Sequence, residues 1–216
     1  MTYDELKAHA DTIPSMGGRQ IGKYIDDAIK NIKDGRAVVE IGTWLGAATA
    51  QIALALVKYK KSSRVYTYDR FKVKGEQPEK AIKEGWDIKD GEDVLPRVEK
   101  ALSVFPCKIK CVKGNITDIK YKGEKIGLYI DDAAKQRKNF DYIIRELLPH
   151  FIPGETIIIL MDYYLWKNTH EENHKYQYYF MQEHRDNFEL VTDGIDSTYQ
   201  EQKEEGAIFL YKGGKV

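Results

Sequence analysis

The chain is poor in several features that would set it apart. It has only two cysteines in 216 residues, and both fall in Cys107-Lys108-Ile109-Lys110-Cys111. That stretch alternates like a half-buried strand, with Cys107, Ile109 and Cys111 on one face. Four residues at strand rise set the two Cα atoms roughly 13 Å apart, beyond the reach of a disulfide. A staple, a zinc pair and a redox motif are therefore excluded, and the thiols read as core. No apolar run approaches membrane-spanning length, and the N-terminal residues lack a basic n-region and an apolar h-region. Charge of one sign is also lacking. Lys+Arg of 34 balances Asp+Glu of 34, so the positive field that drives nucleic-acid binding through counterion release is missing. No Pro/Gly/Ser-rich linker divides the chain. The expectation is one soluble, cytoplasmic domain over residues 1–216, with neither a nucleic-acid nor a membrane partner, and with enough apolar content (42%) for a core.

What is present is an alternation of β-rich and helical segments. Strands are predicted over Ala37–Ile41, Arg64–Tyr68, Lys108–Val112, Ile126–Ile130 and Thr156–Met161, then Phe188–Thr192 and Ala207–Tyr211. Helices are predicted over Gln20–Ile32, Leu45–Val57, Val94–Phe105, Gln136–His150 and Glu171–Asp186. Strands alternating with helices of this length imply βαβ units and a parallel sheet with right-handed crossovers. The connection from Asp193 to Gly206 has little apolar periodicity, so the last two strands should pair antiparallel. The fold class is α/β: a Rossmann-like, seven-stranded, mostly parallel sheet, helices on both faces and an antiparallel C-terminal strand. An N-terminal helical segment (1–35) precedes it, and a charged insertion (70–97) follows the second strand as a candidate lid.

The most informative stretch is Val38-Val39-Glu40-Ile41-Gly42-Thr43-Trp44-Leu45-Gly46. A short strand ends in a carboxylate, then come a glycine-bearing turn and a helix, the layout of a nucleotide-handling site. In a G-x-G-x-x-G loop the first glycine keeps the helix N-terminus open to a pyrophosphate. Glu40 stands in that place, where its carboxylate repels phosphate and suits a ligand with positive charge near a nucleoside. S-adenosylmethionine has that chemistry. The competing reading is a βα-turn with an incidental Glu.

Acids recur at the predicted strand ends: Glu40, Asp69, the pair Asp131-Asp132, and Asp162. In a parallel sheet these ends share one edge, where ligands bind. Each acid alone reads as a turn former or cap, and their repetition favours a site. Asp69, a little over 20 residues beyond the glycine turn, is placed to accept both ribose hydroxyls of an adenosine. Gly114-Asn115 would flank the adenine, with Asn115 as a plain turn residue the alternative.

These residues carry a resemblance. Glu40-x-Gly42-x-x-x-Gly46, the acid at Asp69, Gly114-Asn115, the Ile130-Asp131 strand end and Leu147-Leu148-Pro149-x-x-x-Pro153-Gly154 running into Ile157–Asp162-Tyr163 resemble class I S-adenosylmethionine-dependent methyltransferases. Within that superfamily the chain is most similar to the macrocin O-methyltransferase type, small enzymes that methylate sugar or other small-molecule hydroxyls, often with a divalent cation. The resemblance covers roughly residues 36 to 165. It implies that Glu40, Gly42, Thr43 and Gly46 hold the methionine end of the cofactor, that Asp69 holds the ribose and that Asn115 and Asp131 belong to the cofactor site. It also implies a magnesium ion on Asp131 and Asp162, to which this chain adds Asp132 as a third candidate ligand, with Asp131 doubling as the base for a small-molecule acceptor, and it is compatible with a homodimer. The chain departs from the family's Asp-Gly-Asp and Asp-Asp-Tyr stretches, having Asp131-Asp132-Ala133 and Met161-Asp162-Tyr163 in their places.

Other motifs compete. His170-Glu171-Glu172-Asn173-His174 matches H-E-x-x-H, but its flanks are polar throughout, unlike a buried zinc helix, and the extended spacing fails at Gln177 and Phe180. In a methyltransferase the same segment would lie over the active-site rim, which makes His170 or His174 a candidate catalytic base. The alternative is a solvated helix face. Trp166 and Tyr163 are candidates for stacking on the acceptor, while Tyr178 and Phe180 read as core. Thr12–Gly18 would fold over the cofactor or serve as a connector. Two classes of function remain: a small-molecule O-methyltransferase, and a non-catalytic Rossmann-like module that binds a nucleotide or a partner. Nucleic-acid methylation is a weaker third.

Overall fold

In the computed structural model, which describes residues 1–16, 19–196 and 204–216, seven strands form one sheet in the order β3-β2-β1-β4-β5-β7-β6. The first five, β1 (Ala37–Ile41), β2 (Val65–Asp69), β3 (Ile109–Lys113), β4 (Ile126–Asp131) and β5 (Ile157–Leu160), run parallel to one another. Strand β7 (Glu204–Tyr211) runs antiparallel between β5 and β6 (Phe188–Asp196). The expected fold class is the observed one.

The strand sequences explain the layering. Every residue of β1 is buried, as a central strand covered on both sides requires. Successive residues alternate between faces, and two cores result. Val39, Ile41, Tyr129, Ile158 and Leu160 pack with Phe140, Ile143, Ile144 and Leu147 of α6 (Arg137–Leu147) and with Phe180 of α8 (Tyr176–Glu183). On the other face Val38, Leu128, Ile130 and Ile159 pack with Ile21, Ile25 and Ile29 of α2 (Ile21–Asn31) and Ile52 and Leu56 of α3 (Ala47–Lys58). Both α2 and α6 bury one i, i+3/i+4 stripe, which is why periodicity located them.

A third core was not expected. Residues 70–97 contain α4 (Gln77–Lys83), and Phe71, Val73, Ala81, Ile88 and Val94 pack with Leu6 and Ala10 of α1 (Tyr3–Ala10), Leu54 of α3, and Val98 and Leu102 of α5 (Leu95–Leu102). The insertion is thus a packed wall. Helix α1 escapes periodicity because it buries only Leu6 and Ala10, yet its start carries a capping box. Glu5 N donates to Thr2 Oγ1 at 3.3 Å, and Thr2 N donates to Glu5 Oε2 at 2.7 Å.

The expected helix over Glu171–Asp186 is broken. Helix α7 (Trp166–Thr169) ends at His170 in the left-handed region (φ 56°), and a 3₁₀ turn at Glu172–Lys175 precedes α8. The two histidines of H-E-x-x-H therefore do not share a helix, and the zinc geometry does not form. Strands β6 and β7 run further than predicted, to Asp196 and from Glu204, because a sheet edge accepts the polar Thr192 and Asp193. Residues 197–203 of the expected connection, and Gly17-Gly18 of the N-terminal segment, lie outside the described residues. Among the described residues no helix is long and apolar enough to cross a membrane.

Candidate active site

The chain leaves β1 for β2 and β3 on one side, while β4 and β5 lie on the other. The loops that follow β1 and β4 therefore part and open a crevice at the carboxyl edge of the sheet. A cavity of about 800 Å³ fills it, lined at successive strand ends by Gly42, Asp69, Asn115, Asp132 and Asp162. A cleft of about 40 Å³ adjoins it and shares Met16, Gly42, Trp44 and Asp132, with Thr43 on its wall.

One end of the cavity is shaped by backbone. Gly42 has φ +99°, and a β-carbon there would lie 3.0 Å from the carbonyl carbon and oxygen of Asp132. Only glycine combines that dihedral with so close an approach of the two loops. Asp69 joins the loops after β1 and β2: its carboxylate accepts Trp44 N at 3.0 Å and Phe71 N at 2.7 Å. Each oxygen still has a lone pair free for the cavity it lines. Asn115 lines the same end and donates from Nδ2 to Asp118 Oδ2 at 3.0 Å.

Three residues expected on the cofactor, Glu40, Gly46 and Asp131, lie off the cavity wall. Glu40 is buried beneath the loop rather than at its mouth, with Oε2 accepting the hydroxyls of Thr49 and, at 2.5 Å, Thr67. Its Oε1 is buried with no hydrogen-bond partner. Burial, partly offset by those hydroxyls and reinforced by nearby Asp69, pushes the carboxyl up to about 7. Gly46, at φ +95°, opens α3, and its missing side chain leaves room for Val98 and Leu102 of α5 at 3.3 and 3.4 Å. It serves helix packing. Thr43 is buried and bonds Thr67 through its hydroxyl, so it supports Glu40's pocket as well as the smaller cleft.

The other end is built from side chains. Asp131 is fully buried, and its carboxylate takes three hydrogen bonds: Oδ1 accepts Ala133 N at 3.0 Å and Ala134 N at 2.8 Å, and Oδ2 accepts Tyr129 OH at 2.5 Å. It shapes the turn after β4 and does not line the cavity, so neither the base, the cofactor nor the metal role falls to it. Asp132 and Asp162 do line it, together with Lys135, His174 and Glu205. Lys135 Nζ donates to Asp162 Oδ1 at 3.0 Å, with the Asp162 side chain only 8% exposed. Burial works against this ammonium, but Asp162 and Asp132 outweigh it and hold its pKa above the usual lysine value. Burial and the proximity of Asp162 push Asp132 well above the usual carboxylate range.

This donor set does not fit a magnesium ion. A divalent cation needs free carboxylate oxygens in an open octahedron; here one of the three expected ligands is sealed by three hydrogen bonds and an ammonium already sits on another. Among the described residues no cluster of three metal-ligating side chains is present.

Of the histidines, His174 lines the cavity, its Nδ1 2.9 Å from Thr169 Oγ1, and His170 is exposed. Tyr163, expected on the acceptor, is fully buried against Tyr164, Tyr178 and Phe209. Trp166 is half-buried under the Lys175 ammonium and off the cavity wall; Leu165 takes its place there. Phe180 is core, as read. Lys135, Met16 and Glu205 were missed. For Lys135 a signal existed, a cationic side chain three residues after an acid pair at a strand end; Met16 and Glu205 reach the site only through tertiary folding.

Comparison of the sequence finds no matching protein-family profile and no curated relative. Comparison of the fold does. The O-methyltransferase NovP superposes with a TM-score of 0.63 at 13% identity, over 91% of this chain and 81% of that one. The N-methyltransferase NodS from Bradyrhizobium japonicum WM9 gives 0.56 at 12%, over 91% and 96%. An rRNA methylase, so described only by presumption, from Clostridium thermocellum gives 0.55 at 15%, over 91% and 97%. The fold is the Rossmann-like methyltransferase fold. Neighbours with three kinds of acceptor share it, so the fold alone does not select one.

Proposed function

We propose that the protein is an S-adenosylmethionine-dependent methyltransferase acting on a hydroxyl of a small molecule. The observation that carries this reading is one cavity that runs from Asp69 past Gly42 to Asp162, with a carboxylate at one end and charged side chains at the other. Its volume lies in the range of small-molecule sites. The sequence resemblance and the shared fold support the same cofactor, and the neutral net charge favours a small acceptor over a polyanion.

In this reading Asp69 accepts the two ribose hydroxyls, and Asn115 flanks the adenine with Ile116. The turn at Gly42–Trp44 follows the amino-acid end. When bound, the cofactor supplies a methyl carbon activated by its sulfonium. The protein's contribution is alignment of the acceptor oxygen with that carbon and the leaving sulfur, together with exclusion of water, which alone accounts for a large part of such an acceleration. His174, steadied by Thr169, is placed at the acceptor end to take the hydroxyl proton, the ordinary task of an imidazole in such sites.

Calorimetric titration with S-adenosylhomocysteine, with and without magnesium, tests the reading. Saturable binding at one site per chain, unchanged by the metal, is expected. No heat in either condition would overturn it in favour of a module that uses the fold for something else.

A further inference from the structure

Resting on that reading, we infer that the Lys135 ammonium is the resident cation of the acceptor end, standing where a divalent metal would otherwise sit, and that Lys135 and Asp162 together form the subsite for the acceptor's hydroxyl group.

Three observations converge on this. Lys135, in the turn after β4, reaches Asp162 at the end of β5 with Nζ 3.0 Å from Oδ1, and both line the cavity. Asp132, in the turn after β4, and Glu205 of β7 line the same cavity, and both favour the ammonium form of Lys135. Finally, the second oxygen of Asp162, Oδ2, is buried with no hydrogen-bond partner, on a side chain 8% exposed. A buried carboxylate oxygen left unpaired is costly, and here the atom belongs to a residue on the wall of the cavity.

The pair offers one donor and one unpaired acceptor side by side. A hydroxyl matches both at once on binding, because its oxygen accepts from the ammonium while its O–H donates to Oδ2, and the proton released on methyl transfer passes on to His174, the base proposed above. A protonated amine would meet the ammonium with like charge, and a thiol is a weak partner for either atom. An ammonium also counters negative charge on the acceptor oxygen without the open coordination sphere a metal needs. The pair thus favours a neutral hydroxyl over a protonated amine or a thiol, and the preference is set by a lysine.

Manganese binding, followed by electron paramagnetic resonance on the full chain, tests this without an identified acceptor. The wild-type protein should leave the Mn²⁺ signal free. Removing the ammonium in Lys135→Ala uncovers the acids, and Mn²⁺ affinity should rise by about tenfold or more. Lys135→Met should do the same while keeping the apolar stem, which guards against a packing defect, and Lys135→Arg should restore the wild-type result. Mn²⁺ bound by the wild type and lost in Asp162→Asn would overturn the inference, as would failure of both neutral variants to gain affinity. S-adenosylhomocysteine binding, measured on the same samples, reports separately on the methyltransferase reading: its loss with the manganese results intact would sink that reading and leave the ammonium's position standing.

Discussion

The two ends of the cavity are made of different material. At the β1–β3 end the shape comes from backbone: a left-handed glycine pressed against the neighbouring loop, and a carboxylate that takes two main-chain amides. At the β4–β5 end it comes from side chains drawn from four separate segments, Asp132 with Lys135, Asp162, His174 and Glu205, held by charge. Backbone geometry depends on a few residues at fixed spacing and tolerates little change. A charge cluster can be rearranged by single substitutions. The fold can therefore keep one end constant while the other changes acceptor, and the difference between the ends can be tested.

The largest effect is expected at Asp69. Two hydrogen bonds from ribose hydroxyls to a carboxylate contribute about 1.5–3 kcal/mol each, so Asp69→Ala should weaken S-adenosylhomocysteine binding about thousandfold by calorimetry, while Asp162→Ala should leave it within about threefold. Equal losses at both sites would mean that the ends are not separable. Glu40 comes next. Its folded pKa of about 7 lies above the ordinary 4.5, so the native state holds the proton more tightly than the unfolded chain and stability falls as pH rises between these values. Relative to Glu40→Gln, the wild type should lose up to about 3 kcal/mol from below pH 4.5 to above pH 7, read by urea denaturation. A difference independent of pH would contradict the buried, half-satisfied carboxyl.

At the acceptor end, His174→Ala should slow methyl transfer from labelled cofactor to a panel of hydroxyl compounds by about a hundredfold. His170→Ala, on an exposed residue, should leave it nearly unchanged; the reverse order would move the site to the outer turn. Last, Gly42→Ala and Gly46→Ala should each cost about 1–3 kcal/mol for a strained positive φ. Only Gly42→Ala should also weaken cofactor binding, since its β-carbon meets the Asp132 backbone while that of Gly46 meets flexible side chains of α5.

The same division governs what could be read from the sequence. The boundaries of β1 were legible because Ala37–Ile41 is a continuous buried run cut off by Gly42, and the positions of α2 and α6 because each buries one face, although α6 gives way to a 3₁₀ turn at Leu148–His150 before its expected end. The place of Asp69 on the cavity wall was legible because the βαβ unit fixes its distance from the glycine turn. Glu40 was read as a ligand because its position follows from spacing, whereas its partners Thr49 and Thr67 come from α3 and β2 and turn it inward. Asp131 was misassigned for the same reason: nothing in Ile130-Asp131-Asp132 shows that the first acid caps its own turn and takes the hydroxyl of Tyr129, two residues back on the same strand. The break at His170 was hidden because a left-handed histidine leaves no mark on helical periodicity. Residues that touch through folding alone, such as Lys135 with Asp162, cannot be paired by spacing.

The most direct test is a crystal structure of the protein with S-adenosylhomocysteine bound. Both ribose hydroxyls should lie within hydrogen-bond distance of Asp69, at most about 3.2 Å, with the sulfur directed along the cavity toward Lys135 and Asp162. An adenosine lodged at the β4–β5 end, or a ligand that leaves Asp69 untouched, would contradict this placement.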